Sequence, residues 1–337
     1  MRNIHDDKDQ RVEMERKKTV EMKRSALGPV IDRGGFSLVE LMIAILITVL
    51  ILAGVYTAFV VQQRSFTSQD QVAETQGSSK IAFDMLVNDI RNSGYGYPDD
   101  EAPQINGFSG AITLDDGVGP NGSDSITLIG GFRALATVGL PTGQETVEVG
   151  QVDGTGAPYL DVCYTSSIKF NDSNRRYISI DGVTYAEVVS ISSSSIANCA
   201  DTERLTLDRP VDKAFPGGRP VYLIEDVTYG LAVADGTNCN NAEAGTICLQ
   251  RTSGGGSTVT IASDIEDLQF EEIDQDADGN TDRIRASLLA RTKWEDPTLE
   301  PSTKPYYSTG IDLEGNITPD TDRSRRRIWS MEVAVKN

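Results

Sequence analysis

Phe36-Ser-Leu-Val-Glu40-Leu-Met-Ile-Ala-Ile-Leu-Ile-Thr-Val-Leu-Ile-Leu-Ala-Gly-Val-Tyr-Thr-Ala-Phe-Val-Val61 is the stretch on which the reading of this chain turns. Between Arg33 and Arg64 its only acidic or basic side chain is Glu40. Wound as a helix, these 26 residues exceed the roughly 20 that cross a bilayer. Lys17, Lys18, Lys23, Arg24 and Arg33 all precede it, so the excess of positive charge places the N-terminus in the cytoplasm and the bulk of the chain outside. An ordinary secretory signal has a shorter apolar core followed by a small-residue cleavage site. Here the small residues, Gly34 and Gly35, come first. A cut at that point removes the charged leader and leaves the apolar helix on the mature chain. Glu40 then needs a partner, because a carboxylate in a membrane helix costs a few kcal/mol when nothing pairs with it.

Outward from that segment, the chain of 337 residues is long enough for one large or two modest domains, and its 39% hydrophobic content supports a packed core. Of the 31 basic and 50 acidic groups, 9 and 7 precede Phe36; the remaining 22 and 43 leave a net charge of -21. That balance disfavours nucleic acid and anionic lipid headgroups as partners. The single histidine, His5, lies ahead of Phe36. The mature chain therefore lacks the imidazole of a Ser-His-Asp or Cys-His relay, and no enzymatic site is expected. Cys163, Cys199, Cys239 and Cys248 include no CxxC pair and no neighbouring histidine, which suits disulfides in an oxidising compartment better than zinc. Pairing Cys163 with Cys199 and Cys239 with Cys248 closes the shortest loops, and two further connectivities remain formally open.

Gly35-Phe36-Ser37-Leu38-Val39-Glu40 resembles the prepilin peptidase motif of type IV pilins and pseudopilins. The resemblance implies cleavage between Gly35 and Phe36, methylation of the new Phe36 amine, and a role in filament assembly for Glu40, the fifth mature residue. Residues 1–35 are then a leader; Met22 offers an alternative start with a shorter basic leader, Met22 to Gly35. The stretch Phe83-Asp-Met-Leu-Val-Asn-Asp-Ile-Arg-Asn-Ser-Gly-Tyr95 resembles the helix end of PilW-type minor pilins, and the order of segments over residues 221–337 is also PilW-like. The resemblance implies a minor pilin of a type IV pilus. Its expected partners are prepilin peptidase, other minor pilins, the major pilin and the inner-membrane assembly platform. It would first be a single-pass inner-membrane protein with a periplasmic head, later part of a surface filament serving adhesion or twitching motility. A minor pseudopilin of a type II secretion system, or a calcium-dependent adhesin carried on the pilus, are the alternatives.

The expected fold is α+β. A pilin helix over 36–95, membrane-spanning over 36–61, carries an antiparallel β-rich head over 96–337. Phe66, Val72, Ile81, Met85, Leu86 and Ile90 recur at three- and four-residue intervals and read as an amphipathic continuation of the helix, with Gly77, Ser78 and Ser79 a weak point midway. Ser93-Gly94-Tyr95-Gly96-Tyr97-Pro98 supplies the stop. Strands are expected at 125–129, 146–149, 160–164, 177–180, 187–191, 221–224, 264–270, 283–290 and 328–335.

Asp274, Asp276, Asp278 and Asp282 stand at positions 1, 3, 5 and 9 of a loop with Gly279 at its sixth, an array that suits calcium. Asn280 would add its carbonyl at the seventh position, but Arg285 replaces the bidentate glutamate of an EF-hand; a solvated β-turn is the plainer reading. No cofactor is required. Gly117-Val-Gly119-Pro-Asn-Gly122 matches a dinucleotide fingerprint in letters only, since Pro120 interrupts it and a strand follows. Gly254-Gly-Gly-Ser-Thr258 lacks the lysine of a phosphate loop and is a connection. Arg323-Ser-Arg325-Arg326-Arg327 reads as a charged loop that keeps the start of the last strand solvated, with contact to phosphate or an acidic neighbour as the alternative.

Overall fold

A computed structural model of the chain describes residues 37–98, 103–141, 143–171, 173–196, 199–235, 237–239, 242–254, 256–275, 281–294 and 323–335. One long helix, α1 (Leu38–Asn92), is followed by antiparallel strands, an α+β fold. The chain divides into two compact units between Ser65 and Phe66.

In the second unit, α1 turns Ala82, Phe83, Leu86, Val87 and Ile90 into a core. Phe66, Ile81 and Met85, expected on the buried face, are instead 62%, 70% and 42% exposed. Ile81 and Met85 lie one residue ahead of Ala82 and Leu86, which turns them about 100° around the helix, and the mixed spacing of the sequence did not fix that phase. The weak point at Gly77 does not break the helix either. Ser78 Oγ donates to Glu74 O at 3.1 Å and Ser79 Oγ to Thr75 O at 2.6 Å, so both hydroxyls are spent inside the helix. Ser79 also accepts from Trp329 Nε1 at 3.0 Å.

The helix ends as the sequence expects. Ser93 Oγ donates to Ile90 O at 2.6 Å, and Gly94 and Gly96 take φ of 75° and 73°, which a side chain adopts only with strain. That turn docks on the sheet through Gly94 N to Ile129 O and Gly131 N to Tyr95 O, each 2.8 Å. A Cβ on Gly96 would lie 2.5 Å from Ser179 Oγ, so close approach demands glycine as much as φ does.

Two strands of 14 residues, β2 (Ser125–Val138) and β9 (Pro220–Val233), organise the rest. At one end they are flanked by β1 (Ile112–Asp115) on β2 and by β10 (Ile247–Ser253) and β11 (Ser257–Ser263) beyond β9. At the other end β2 pairs with β4 (Tyr159–Tyr164) and β9 with β5 (Tyr177–Ile180). Between them run β6 (Thr184–Ser193) and β7 (Thr202–Leu207), so the pairings β2-β4-β7-β6-β5-β9-β2 close into a six-stranded ring. Short β3 (Thr146–Val147) pairs with β8 (Phe215–Pro216). Alternate residues fill the ring, among them Leu160 and Val162, Ile178 and Ile180, Leu205 and Leu207, each burial contributing about 1.5–3 kcal/mol. On its wall, buried Asp161 takes both forks of Arg204 at 2.8 Å and Ser194 Oγ at 2.8 Å.

A separate sheet of β12 (Ile265–Ile273), β13 (Arg283–Arg291) and β14 (Arg326–Ala334) joins the core of α1 through Leu268, Ile284, Ala286, Leu288 and Val333. Its start corrects the reading of the basic run. Arg326 is not a solvated loop residue but lies in β14, its side chain 7% exposed, with Nε 2.6 Å and Nη2 2.8 Å from the two oxygens of Glu266. The bridges Cys163–Cys199 and Cys239–Cys248 tie β4 and β10 to neighbouring loops.

One polar lock fastens α1 to the sheet. Asp89, 7% exposed, accepts from Tyr229 OH at 2.6 Å and from Arg251 Nε at 3.1 Å. Burial, then the Asp89 carboxylate, pushes the Tyr229 phenol far up, so it stays a donor. Removing one partner leaves a buried charge uncompensated. Asp89→Ala is expected to lower the unfolding free energy of detergent-solubilised protein by about 3–5 kcal/mol, read from denaturant titration of the near-ultraviolet circular dichroism; a loss under about 1 kcal/mol would show that the triad does not hold the helix.

Candidate assembly segment

The described chain opens on Ser37, whose local chemistry starts α1. Glu40 N donates to Ser37 Oγ at 3.3 Å and Leu41 N to Ser37 O at 3.1 Å. Ser37-Leu-Val-Glu40 has the spacing of a capping box, in which serine satisfies a free amide of the first turn. Glu40 is the acidic residue of that turn, and the helix N-terminus favours a negative charge there. One position thus serves two requirements: it supports the helix start, and it places a carboxylate at the edge of an apolar rod.

That rod is uncovered. Its most apolar 18-residue window has a mean hydropathy of 2.8 and is 0% buried. Leu38, Leu46, Leu50 and Tyr56 are between 63% and 73% exposed. Its few polar side chains bond inside the helix: Thr48 Oγ1 donates to Ala44 O at 2.7 Å and Thr57 Oγ1 to Ala53 O at 2.8 Å. Such internal satisfaction is what a bilayer demands. Gly35 and Phe36 lie outside the described residues.

Of the calcium array, Asp276, Asp278 and Asn280 also lie outside the described residues. Asp274 follows β12 and Asp282 precedes β13, and Asp282 Oδ2 accepts from Gln275 N at 2.7 Å. Among the described residues no group of three or more acidic, histidine or cysteine side chains is arranged to hold a metal. The Gly117–Gly122 segment is a turn, closed by Gly119 N to Ser123 O at 2.8 Å and by Asn121 Nδ2 to Glu266 O at 3.1 Å.

The Asp89, Tyr229 and Arg251 triad was not foreseen. Its one legible sign is an acid between Leu86 and Ile90 on what proves to be the buried face; its partners come from strands 140 and 162 residues away.

Comparison with known proteins agrees with the segment's chemistry. No curated protein and no solved structure matches the chain. Residues 32–56 match the prokaryotic N-terminal methylation motif; the chain carries a type IV pilin-like prepilin signal, the kind that prepilin peptidase processes, at the head of a helix long and apolar enough to cross a membrane.

Proposed function

We propose that this chain is a PilW-type minor pilin, cut between Gly35 and Phe36, methylated on Phe36 and built by α1 into a type IV pilus. The observation that carries the reading is the methylation motif joined to an apolar segment whose only acidic or basic side chain between Arg33 and Arg64 is Glu40. In a filament core an unpaired carboxylate is costly, whereas one that faces a neighbour's protonated N-terminal amine is tolerated and sets register. The large head favours a minor over a major subunit, since 14-residue strands and an inserted ring are awkward to repeat along a tight shaft. Before assembly the chain sits in the inner membrane, N-terminus in the cytoplasm and head in the periplasm, beside other minor pilins and the assembly platform. Its action is assembly, with no catalysis. Glu40→Val is expected to remain in the membrane fraction at normal amounts and to fall at least tenfold in sheared filaments, by quantitative immunoblot. Normal incorporation contradicts the role; normal pili with lost protein secretion point to the pseudopilus instead.

The loop over 274–282 is proposed to take calcium. Its support is the run of four carboxylates within nine residues, which repel each other unless a cation screens them, set between two paired strands. Calorimetry of the detergent-solubilised chain is expected to show calcium binding that Asp274→Asn with Asp282→Asn removes. No heat at millimolar calcium would eliminate the site.

A further inference from the structure

Where β12 runs beside the turn over 116–124, Asp124 bonds it much as a neighbouring strand would. Its backbone N donates to Leu268 O at 2.8 Å, and its side chain accepts from Phe270 N at 2.9 Å through Oδ2 and from Gly117 N at 3.0 Å through Oδ1. Asn121 Nδ2 donates to Glu266 O and Gln269 Nε2 to Gly122 O, each at 3.1 Å. One carboxyl group therefore holds both its own turn and the first strand of the three-stranded sheet.

That carboxyl group is buried among acids. Asp124 is 4% exposed and Asp267 is 1% exposed, its Oδ1 accepting from Leu268 N at 2.8 Å and from Gln269 Nε2 at 3.0 Å. Asp116 lies within hydrogen-bonding reach of the Asp124 carboxyl group. Glu271 and Glu272 join Asp116 and Asp124 in lining a cavity of about 400 Å³. Among the described residues no ion pair includes Asp116, Asp124 or Asp267, because the basic groups of the surrounding strands are committed elsewhere. Arg291 and Arg326 bind Glu266, Arg285 binds Glu271 and Glu332, Arg283 binds Glu332, Arg133 binds Glu225 and Arg251 binds Asp89. A buried carboxylate with no countercharge gains by taking a proton. Burial pushes Asp124 above the usual aspartate range, with Asp116 adding to the rise and the Gly117 and Phe270 amides opposing it; burial also raises Asp267.

We infer that Asp116 and Asp124 form a proton-dependent clasp between the turn over 116–124 and β12, closed when the two share a proton and weakened when both are ionised. The proton comes from solvent and sits between one oxygen of each carboxyl group, while the Gly117 and Phe270 amides keep donating to Asp124. Because the folded chain holds this proton more tightly than the unfolded one, the clasp contributes fully below the ordinary aspartate range. Its contribution is lost as the pH rises through the raised folded value. The clasp does not use the membrane helix or Glu40, and stands apart from the filament reading.

The test is Asp116→Asn, at an exposed position, in the full chain in detergent. EDTA is present throughout, so that calcium plays no part. Melting is followed by near-ultraviolet circular dichroism at about pH 7.5 and about pH 5. The amide removes the like charge and offers ionised Asp124 a donor, so it imitates the protonated pair. The variant is expected to melt about 3 °C above the parent at the higher pH and to keep less than half that gain at the lower, where the parent takes up the proton itself. Asp115→Asn removes a charge one residue away and is the control, expected to give less than half the gain of Asp116→Asn at the higher pH. No gain at the higher pH, a gain that keeps more than half its size at the lower, or one that the control reproduces by more than half would each overturn the clasp.

Discussion

An apolar helical segment that the described residues leave uncovered is the constraint from which the rest follows. Each large apolar side chain in water costs about 1.5–3 kcal/mol relative to burial, so a window of 18 residues that is 0% buried represents tens of kcal/mol that lipid or other helices must recover. Within that window's surroundings Glu40 is the exception, and the capping geometry at Ser37 explains how the local helix tolerates it. The backbone amides of the first turn provide a favourable field, while the carboxylate keeps its capacity to pair with something outside the chain. A single acidic side chain therefore stands where the start of the helix meets its uncovered apolar surface.

The head solves a different problem, namely how to hold the second half of the same helix rigidly. It does so with two cores that share strands. The long pair β2 and β9 contributes one end to the core around Phe83, Leu86 and Ile90 and the other to the closed ring. The ladder shifts register between Gly130 and Arg133, where Gly130 and Gly131 let the helix-ending turn approach: a Cβ on Gly130 would lie 2.8 Å from Asn92 O. Across that irregularity Arg133 and buried Glu225 pair at 2.9 Å. Bulges concentrate twist and change strand direction, which suits the place where one sheet becomes two structures. The ring is thus an insertion between shared strands, braced by the Asp161–Arg204 pair and the Cys163–Cys199 bridge.

Much of this was legible in the sequence because local chemistry dictates it. The apolar segment, the Gly-Tyr-Gly-Tyr stop and strands such as β5 and β13 follow from composition and period alone. The phase of the amphipathic helix was not, because Ile81 and Met85 satisfy the same spacing as Ala82, Phe83 and Leu86, and only the packed sheets select between the stripes. β7 escaped notice because Glu203 and Arg204 interrupt its pattern, and their charges are explained only by partners on the neighbouring strand β4: Glu203 accepts from Tyr164 OH at 2.7 Å, and Arg204 binds Asp161. Arg326 was misread for the same reason, since its ion pair with Glu266 spans 60 residues. Ring closure depends on pairings such as β2 with β9 that no local pattern encodes.

The central claim is that proteolysis releases a chain whose first residue is Phe36 and whose apolar helix stays attached. Mass spectrometry of the N-terminal peptide from protein recovered with membranes or sheared filaments tests it most directly. The account predicts a peptide that begins with N-methylated Phe36 and contains Glu40. A mature peptide that still carries Arg33, or one that begins beyond Val61 so that the helix has been discarded, would contradict it.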